Sequence, residues 1–248
     1  MTADGLAGRT YIVTAANSGI GKNVVETLLR NGAHVIATVR EGRLLEVFHE
    51  RLEIIYGDLG SLADCQSLVS RAATSSRISG LVHVAGAWVP GDIAAVDEAA
   101  FDYAFSANVK TAFNICKPLI PELEKNEGGS IVTISSMLGL SPVPNSILYA
   151  SAKAALIQFT RALALDLGPK GIRCNCICPG LIKTAQTANV FDQPEWVERI
   201  VQSYPVGRLG EPRDVGEVTA FLLSNSASWI TGLALPVEGG YLISAEAS

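Results

Sequence analysis

Thr10-Tyr-Ile-Val-Thr-Ala-Ala-Asn-Ser-Gly-Ile-Gly21 decides the fold of this chain. An apolar, β-rich run up to Ala15 meets a turn of small residues, and a helical pattern over 19–31 follows at once. A strand that turns into a helix through small residues lets backbone N–H groups and a helix N-terminus approach a pyrophosphate closely. Read alone, the stretch also fits a tight βα turn with no ligand. Its place after the first strand of a long βα series favours a nucleotide.

Outward from this turn the same alternation continues. Apolar runs near 34–39, 53–57, 80–85, 130–135, 172–177 and 233–237 read as strands, giving seven with the first. Helical patterns fall near 61–73, 97–105, 108–124, 149–167 and 213–224, with Gly32, Gly60, Pro121, Gly168 and Pro212 as punctuation. Repeated βα units joined by right-handed crossovers predict an α/β, doubly wound, seven-stranded parallel sheet (a Rossmann fold) with helices on both faces. The 248 residues are expected to form one domain, 1–248, with a substrate loop or lid at about 185–205.

Composition narrows the function. Hydrophobic residues reach 48% and charged ones only 17%, which suits a sheet covered on both faces and hints at self-association. A net charge of -5 offers no global positive field for nucleic acid or an anionic membrane. With no signal-peptide pattern and no apolar run of membrane-spanning length, a cytoplasmic location is expected. Cys174, Cys176 and Cys178 alternate along a strand, which spaces their sulfurs about 7 Å apart, too far for tetrahedral zinc. They read as small core residues. His34, His49 and His83 lack metal-ligand spacing, so no metal is expected.

The chemistry concentrates in Ser146-Ile-Leu-Tyr-Ala-Ser-Ala-Lys-Ala-Ala155, which sets Tyr149 and Lys153 one helical turn apart. A phenol titrates near 10, and an ammonium group held beside its oxygen draws that value toward neutrality, where proton transfer becomes feasible. The pair alone fits an ordinary helix surface equally well. Ser136 closes the run Ser130-Ile-Val-Thr-Ile-Ser-Ser136, so its hydroxyl emerges at a strand's carboxyl end, where one hydroxyl can orient a carbonyl oxygen.

Taken in order, these motifs resemble the short-chain dehydrogenase/reductase family, particularly its 3-oxoacyl reductase-like members. The family's Thr-Gly-x-x-x-Gly-Ile-Gly is matched from Thr14 to Gly21 except that Ala15 replaces the first glycine. The likeness continues through Asp58, Ala85-Gly86, Asn108, Ser136, Tyr149, Lys153, Pro179-Gly180, Thr184 and the closing Ile230 to Gly240. It implies a catalytic set of Asn108, Ser136, Tyr149 and Lys153. Tyr149 would exchange a proton with the substrate oxygen and Lys153 would bond the nicotinamide ribose. Asn108 would hold a helix carbonyl and water for proton relay, against a bland role satisfying a local backbone group. Ser136 is preferred to Ser135, which takes a structural or cofactor-facing role.

The same resemblance implies dinucleotide contacts from Thr14, Asn17, Ser18, Gly19, Ile20, Gly21, Arg40, Asp58, Leu59, Ala85, Gly86, Tyr149, Lys153, Pro179, Gly180, Ile182 and Thr184. Asp58 would accept from adenine, or else cap the next helix. The second strand ends without an acidic residue, with Val39 where an NAD-selecting aspartate would stand and Arg40 placed for a 2'-phosphate. NADP(H) is therefore favoured, with NAD(H) the alternative. Two departures matter. Ala15 is tolerated if its φ stays negative, and His83-Val84 stands where the family has two asparagines, so bonds made by those side chains are replaced or lost.

The expected function is an NAD(P)-dependent oxidoreductase interconverting a carbonyl and a secondary alcohol on a small, apolar or aromatic molecule. The substrate-facing candidates Trp88, Val89, Pro90, Met137, Leu138, Pro142, Val143, Phe191 and Trp196 are mostly apolar. Two alternatives stand beside it: a 3-oxoacyl-(carrier protein) reductase, whose acidic carrier needs a basic surface that Glu122, Glu124 and Glu127 around Lys125 disfavour while Lys170 and Arg173 leave it open, and a non-catalytic nucleotide sensor on the same fold. Helices near 108–124 and 149–167 resemble the family's subunit interfaces, implying a homotetramer or, failing that, a homodimer.

Overall fold

The computed structural model describes residues 4–190, 192 and 194–244. Seven strands, β1 (Thr10–Val13), β2 (His34–Val39), β3 (Leu52–Tyr56), β4 (Ile78–His83), β5 (Gly129–Ile134), β6 (Ile172–Pro179) and β7 (Ala234–Val237), form one parallel sheet. Their order is β3-β2-β1-β4-β5-β6-β7. The order reverses between β1 and β4, and a parallel sheet opens a ligand crevice at that switch, beyond the strands' carboxyl ends.

The two faces follow from strand alternation. Tyr11 and Val13, with Val35, Val82, Val132 and Ile177, pack against α1 (Gly19–Arg30) and α7 (Pro212–Leu223). Ile12, Ile36, Leu81, Ile131 and Cys174 point the other way, toward α2 (Leu62–Ser75), α4 (Thr111–Lys125) and α5 (Ile147–Leu167). Both faces of the interior strands are covered by helices, which accounts for their near-continuous apolar sequence. The remaining helices are α3 (Glu98–Phe105), which packs against α5, and α6 (Pro194–Gln202), inside the expected lid.

Two expectations are corrected. Pro121 does not punctuate a helix: α4 runs through both Pro118 and Pro121 to Lys125. An interior proline removes a helical bond and costs about 3 kcal/mol, but Ile115, Cys116, Leu119 and Leu123 are buried along this helix and hold it on the sheet. Nor does a regular helix begin at 108. Ser106–Lys110 forms a π turn between α3 and α4, a wider coil that re-aims side chains and recurs at functional sites.

Candidate active site

The turn after β1 is built as a cradle. Ser18 caps α1 by accepting from the Gly21 N–H at 3.0 Å, and Ser18 N–H donates to the Ala15 carbonyl at 2.9 Å. Ala15 carries φ +47°, so the condition of a negative φ is not met. The turn requires the left-handed region whichever residue occupies it, and alanine adopts it under strain. A Cβ on Gly19 would lie 2.6 Å from the Thr184 Cγ2, so the turn and the segment after β6 close on each other with room for backbone only. Asn17 is exposed, Ser18, Gly19 and Ile20 are half-buried, and Gly21 is buried.

At the end of β2 the Val39 side chain is buried, while Arg40 is exposed on a turn whose carbonyl accepts from Arg43 N–H at 3.1 Å. Arg43, also exposed, is a second cation at this edge that sequence reading did not single out. Asp58 is not a helix cap: that role belongs to Ser61, which accepts from Asp64 N–H at 3.2 Å. Asp58 accepts instead from Gly60 N–H at 2.9 Å. Leu59 lies in the core and its carbonyl accepts from the Asn114 amide, leaving its side chain no path to a ligand.

Gly86, following β4, is where the remaining candidates meet. A Cβ there would sit 2.7 Å from the Asn108 Oδ1 and 2.8 Å from the Lys153 Nζ, so only glycine fits between them. Asn108, buried in the π turn, donates to the Ala87 and Ala104 carbonyls, each at 2.9 Å, and accepts from Ala87 N–H at 3.2 Å. Its amide thus ties the β4 loop to the helix. Lys153 is buried on α5 and donates to the Ile134 carbonyl at 3.0 Å. Burial lowers its pKa to about 8, against the opposing pull of the Cys176 and Cys178 thiols behind it.

The Ser136 hydroxyl stands close enough to Tyr149 to influence its phenol, and its oxygen accepts from Leu138 N–H at 3.1 Å. Ser135 points the other way and donates to the Lys153 carbonyl at 2.8 Å, a structural role. Contrary to the expectation of a lowered value, burial of the phenol pushes the Tyr149 pKa up to about 12, and the Ser136 hydroxyl opposes this only in part. The Lys153 ammonium is bonded to Ile134 and stands 5.7 Å from the phenol ring centre, so its charge does not offset the lost hydration. At neutral pH Tyr149 is therefore a protonated phenol.

The Trp88 ring meets the Tyr149 ring edge-on, with centres 4.8 Å apart. Val89 is buried, Met137 and Leu138 are half-buried, and Trp196 lies half-buried on α6. Phe191 lies outside the described residues. Pro179 is buried at the end of β6; after it Gly180 and Thr184 are half-buried, and Ile182 is buried where its backbone pairs with Gly210. A separate cavity of about 470 Å³ lies under this segment, between Leu181, Tyr204, Val218 and Val237 on the α7 side of the sheet. It does not include the Tyr149 chemistry.

His83 stands where the family motif has an asparagine, and its ring bonds both Thr14 and Thr111, so side-chain bonds are made at this position by the imidazole. Its departure from the family motif was the available signal; the identity of its partners was not. The three strand cysteines are buried, and among the described residues no three acidic, histidine or cysteine side chains converge as a metal site. No helix among them is long and apolar enough to cross a membrane.

Comparison with known proteins agrees with this architecture. A family model described as enoyl-(acyl carrier protein) reductase matches residues 14–242. A 2-keto-3-deoxy-L-fuconate dehydrogenase from Xanthomonas campestris pv. campestris is 33% identical over 95% of this chain and 81% of its own length. The 3-oxoacyl-(acyl-carrier-protein) reductase FabG of Rickettsia conorii is 33% identical over 96% and 98% of the respective chains. A Beutenbergia cavernae protein provisionally assigned as an NAD(P)-dependent gluconate 5-dehydrogenase, solved with NADP at low occupancy, superposes with a TM-score of 0.91 at 33% identity, covering 96% and 98%. With the glycine turn, the Gly86 junction and the Ser136-Tyr149-Lys153 grouping in one fold, the chain belongs to the short-chain dehydrogenase/reductase family.

Proposed function

We propose that this NAD(P)-dependent oxidoreductase interconverts a carbonyl and a secondary alcohol on a small apolar or aromatic molecule, with NADP(H) preferred. The convergence of Asn108, Ser136, Tyr149 and Lys153 around Gly86 carries this reading. The residues present fit a dinucleotide: the Ser18-capped start of α1 would face its pyrophosphate, and the Gly86 junction leaves backbone-sized room. Thr14, Asn17 to Gly21, Ala85, Gly86, Pro179, Gly180, Ile182 and Thr184 would hold it, with Asp58 and the Leu59 backbone toward adenine. Arg40, with Arg43 beside it, would meet a 2'-phosphate. When bound, the nicotinamide supplies or accepts the hydride.

The protein's own groups handle the oxygen and its proton. Ser136 orients the substrate oxygen, and Tyr149, a phenol at neutral pH, donates to it as charge develops. Lys153 keeps a cation near the phenol and the ribose side, and Asn108 fixes the loop that closes the site. Trp88 excludes water from one side of Tyr149 and gives an apolar wall for the substrate body. Residues 185–205, including α6, are the lid.

A carrier-protein substrate is less well supported. Lys170 is paired with Glu124 at 2.6 Å, and Arg173 spends its guanidinium on the Leu222, Ile230 and Ser224 carbonyls, so neither offers a free landing cation. A homotetramer, or a homodimer, is supported by outward apolar side chains on the helices, among them Phe113 and Leu165, the latter 80% exposed. A carbonyl panel followed by NADPH and NADH absorbance tests the activity. Tyr149→Phe should lower kcat by at least about 10²-fold, the scale of general-acid catalysis, while NADPH still binds; full activity would refute the assignment. Arg40→Ala should weaken NADPH much more than NADH, and equal effects would overturn the cofactor preference. Dinucleotide binding without turnover of any carbonyl would favour a sensor.

A further inference from the structure

His83 is wholly buried at the end of β4, between Thr14 and Thr111, which are themselves buried. Its Nδ1 lies 3.2 Å from the Thr14 hydroxyl and its Nε2 3.3 Å from the Thr111 hydroxyl. Proton counting orients both contacts. The Thr14 oxygen accepts from Val84 N–H at 2.9 Å and Ala85 N–H at 3.3 Å. A hydroxyl has two lone pairs and one proton, so with both lone pairs engaged Thr14 must donate to Nδ1. At the other end Thr111 donates its proton to the Ala107 carbonyl at 3.0 Å, so Nε2 must donate to Thr111. The two counts, made from opposite ends, agree on a neutral ring protonated at Nε2.

The bonds close a circuit. From His83 it passes through Thr14 to Val84 and Ala85, along the chain past Gly86 to Ala87, across the Asn108 amide, back to Ala107, and through Thr111 to the ring. One arc is the glycine-turn side of the proposed dinucleotide site. The other is the π turn that aims Asn108. We propose that His83 is a positioning residue, a neutral two-ended strut that sets the spacing between the cofactor turn and the π turn carrying Asn108. Its function in catalysis rests on the reading of this site as a dehydrogenase centre; the bonding pattern does not. A charged ring would place a donor against Thr14, whose lone pairs are already in use, and the circuit would break. Burial, reinforced by the Lys153 ammonium, holds the imidazole pKa down at about 3 and so keeps it neutral.

Two substitutions separate the ends. His83→Asn retains an acceptor near Thr14 and cannot reach Thr111, whereas His83→Gln reaches toward Thr111 and abandons Thr14. In His83→Asn, kcat should fall about tenfold, the equivalent of one neutral hydrogen bond, with a smaller change in NADPH Kd. In His83→Gln the split should reverse, with Kd moving more than kcat. Lowered Tm in both variants with Kd and kcat unchanged would overturn the proposal, as would the same split in both. Nitrogen-15 NMR of the histidine-labelled wild type decides the strut itself, even if the variants fail to fold or no carbonyl is turned over. The expected signal for His83 is a neutral Nε2–H ring that does not titrate near neutral pH; an Nδ1–H ring or an imidazolium there refutes it.

Discussion

Ala15 shows what a single methyl group costs in this site. The turn after β1 needs a left-handed residue, and φ +47° on an alanine is strained by about 1 kcal/mol. Ala15→Gly should therefore stabilise the protein, raising Tm by about 2–4 °C for a chain of this size; differential scanning calorimetry showing no gain would mean that the turn has relaxed elsewhere. Tyr149 teaches a related lesson. Its spacing from Lys153 was legible from four residues, but the direction of its pKa depended on burial and on where the ammonium is bonded. Spacing along a helix carries neither. Leu59 shows the same limit: a motif names a position without saying that its side chain turns into the core.

At the level of elements, the interior strands were readable because they are buried on both faces and so present an unbroken apolar run, as in Val35 to Val39 and Ile131 to Ile134. Helix ends followed caps such as Ser18 and Ser61. The π turn and the continuation of α4 past Pro118 and Pro121 left no comparable mark, because both are imposed by packing between distant segments. The same holds for His83, whose partners lie 69 and 28 residues away. Attachment of α5 to β5 is testable at this scale. Removing the Ser135 hydroxyl, which bonds the Lys153 carbonyl, should cost about 1 kcal/mol. Urea unfolding of Ser135→Ala should show that loss, with Ser151→Ala, on an exposed position of the same helix, as the unaffected control.

For the molecule as a whole, the depressed titration of His83 links stability to pH. Its folded value of about 3 lies below the ordinary value of 6.5, so the unfolded chain takes up a proton first as pH falls. The stabilisation is complete above pH 6.5 and is lost progressively as pH drops toward 3. Wild type should therefore lose Tm more steeply than His83→Asn between pH 7 and 4, measured by scanning fluorimetry; parallel curves would show that the imidazole is hydrated or paired differently. Lys153 works at the alkaline end, where its value of about 8 against 10.5 makes stability rise as pH climbs between the two.

The Ser135 and Lys153 bonds also bear on how new specificities arise. Both fasten α5 to β5 without involving residues 185–205. The proposed reactive floor is thus fastened by bonds separate from the wall that residues 185–205 are proposed to form. Chain variation in that wall can retune which guest is admitted while leaving the proton donor where it stands, so libraries confined to this stretch should yield many folded, active and differently selective descendants.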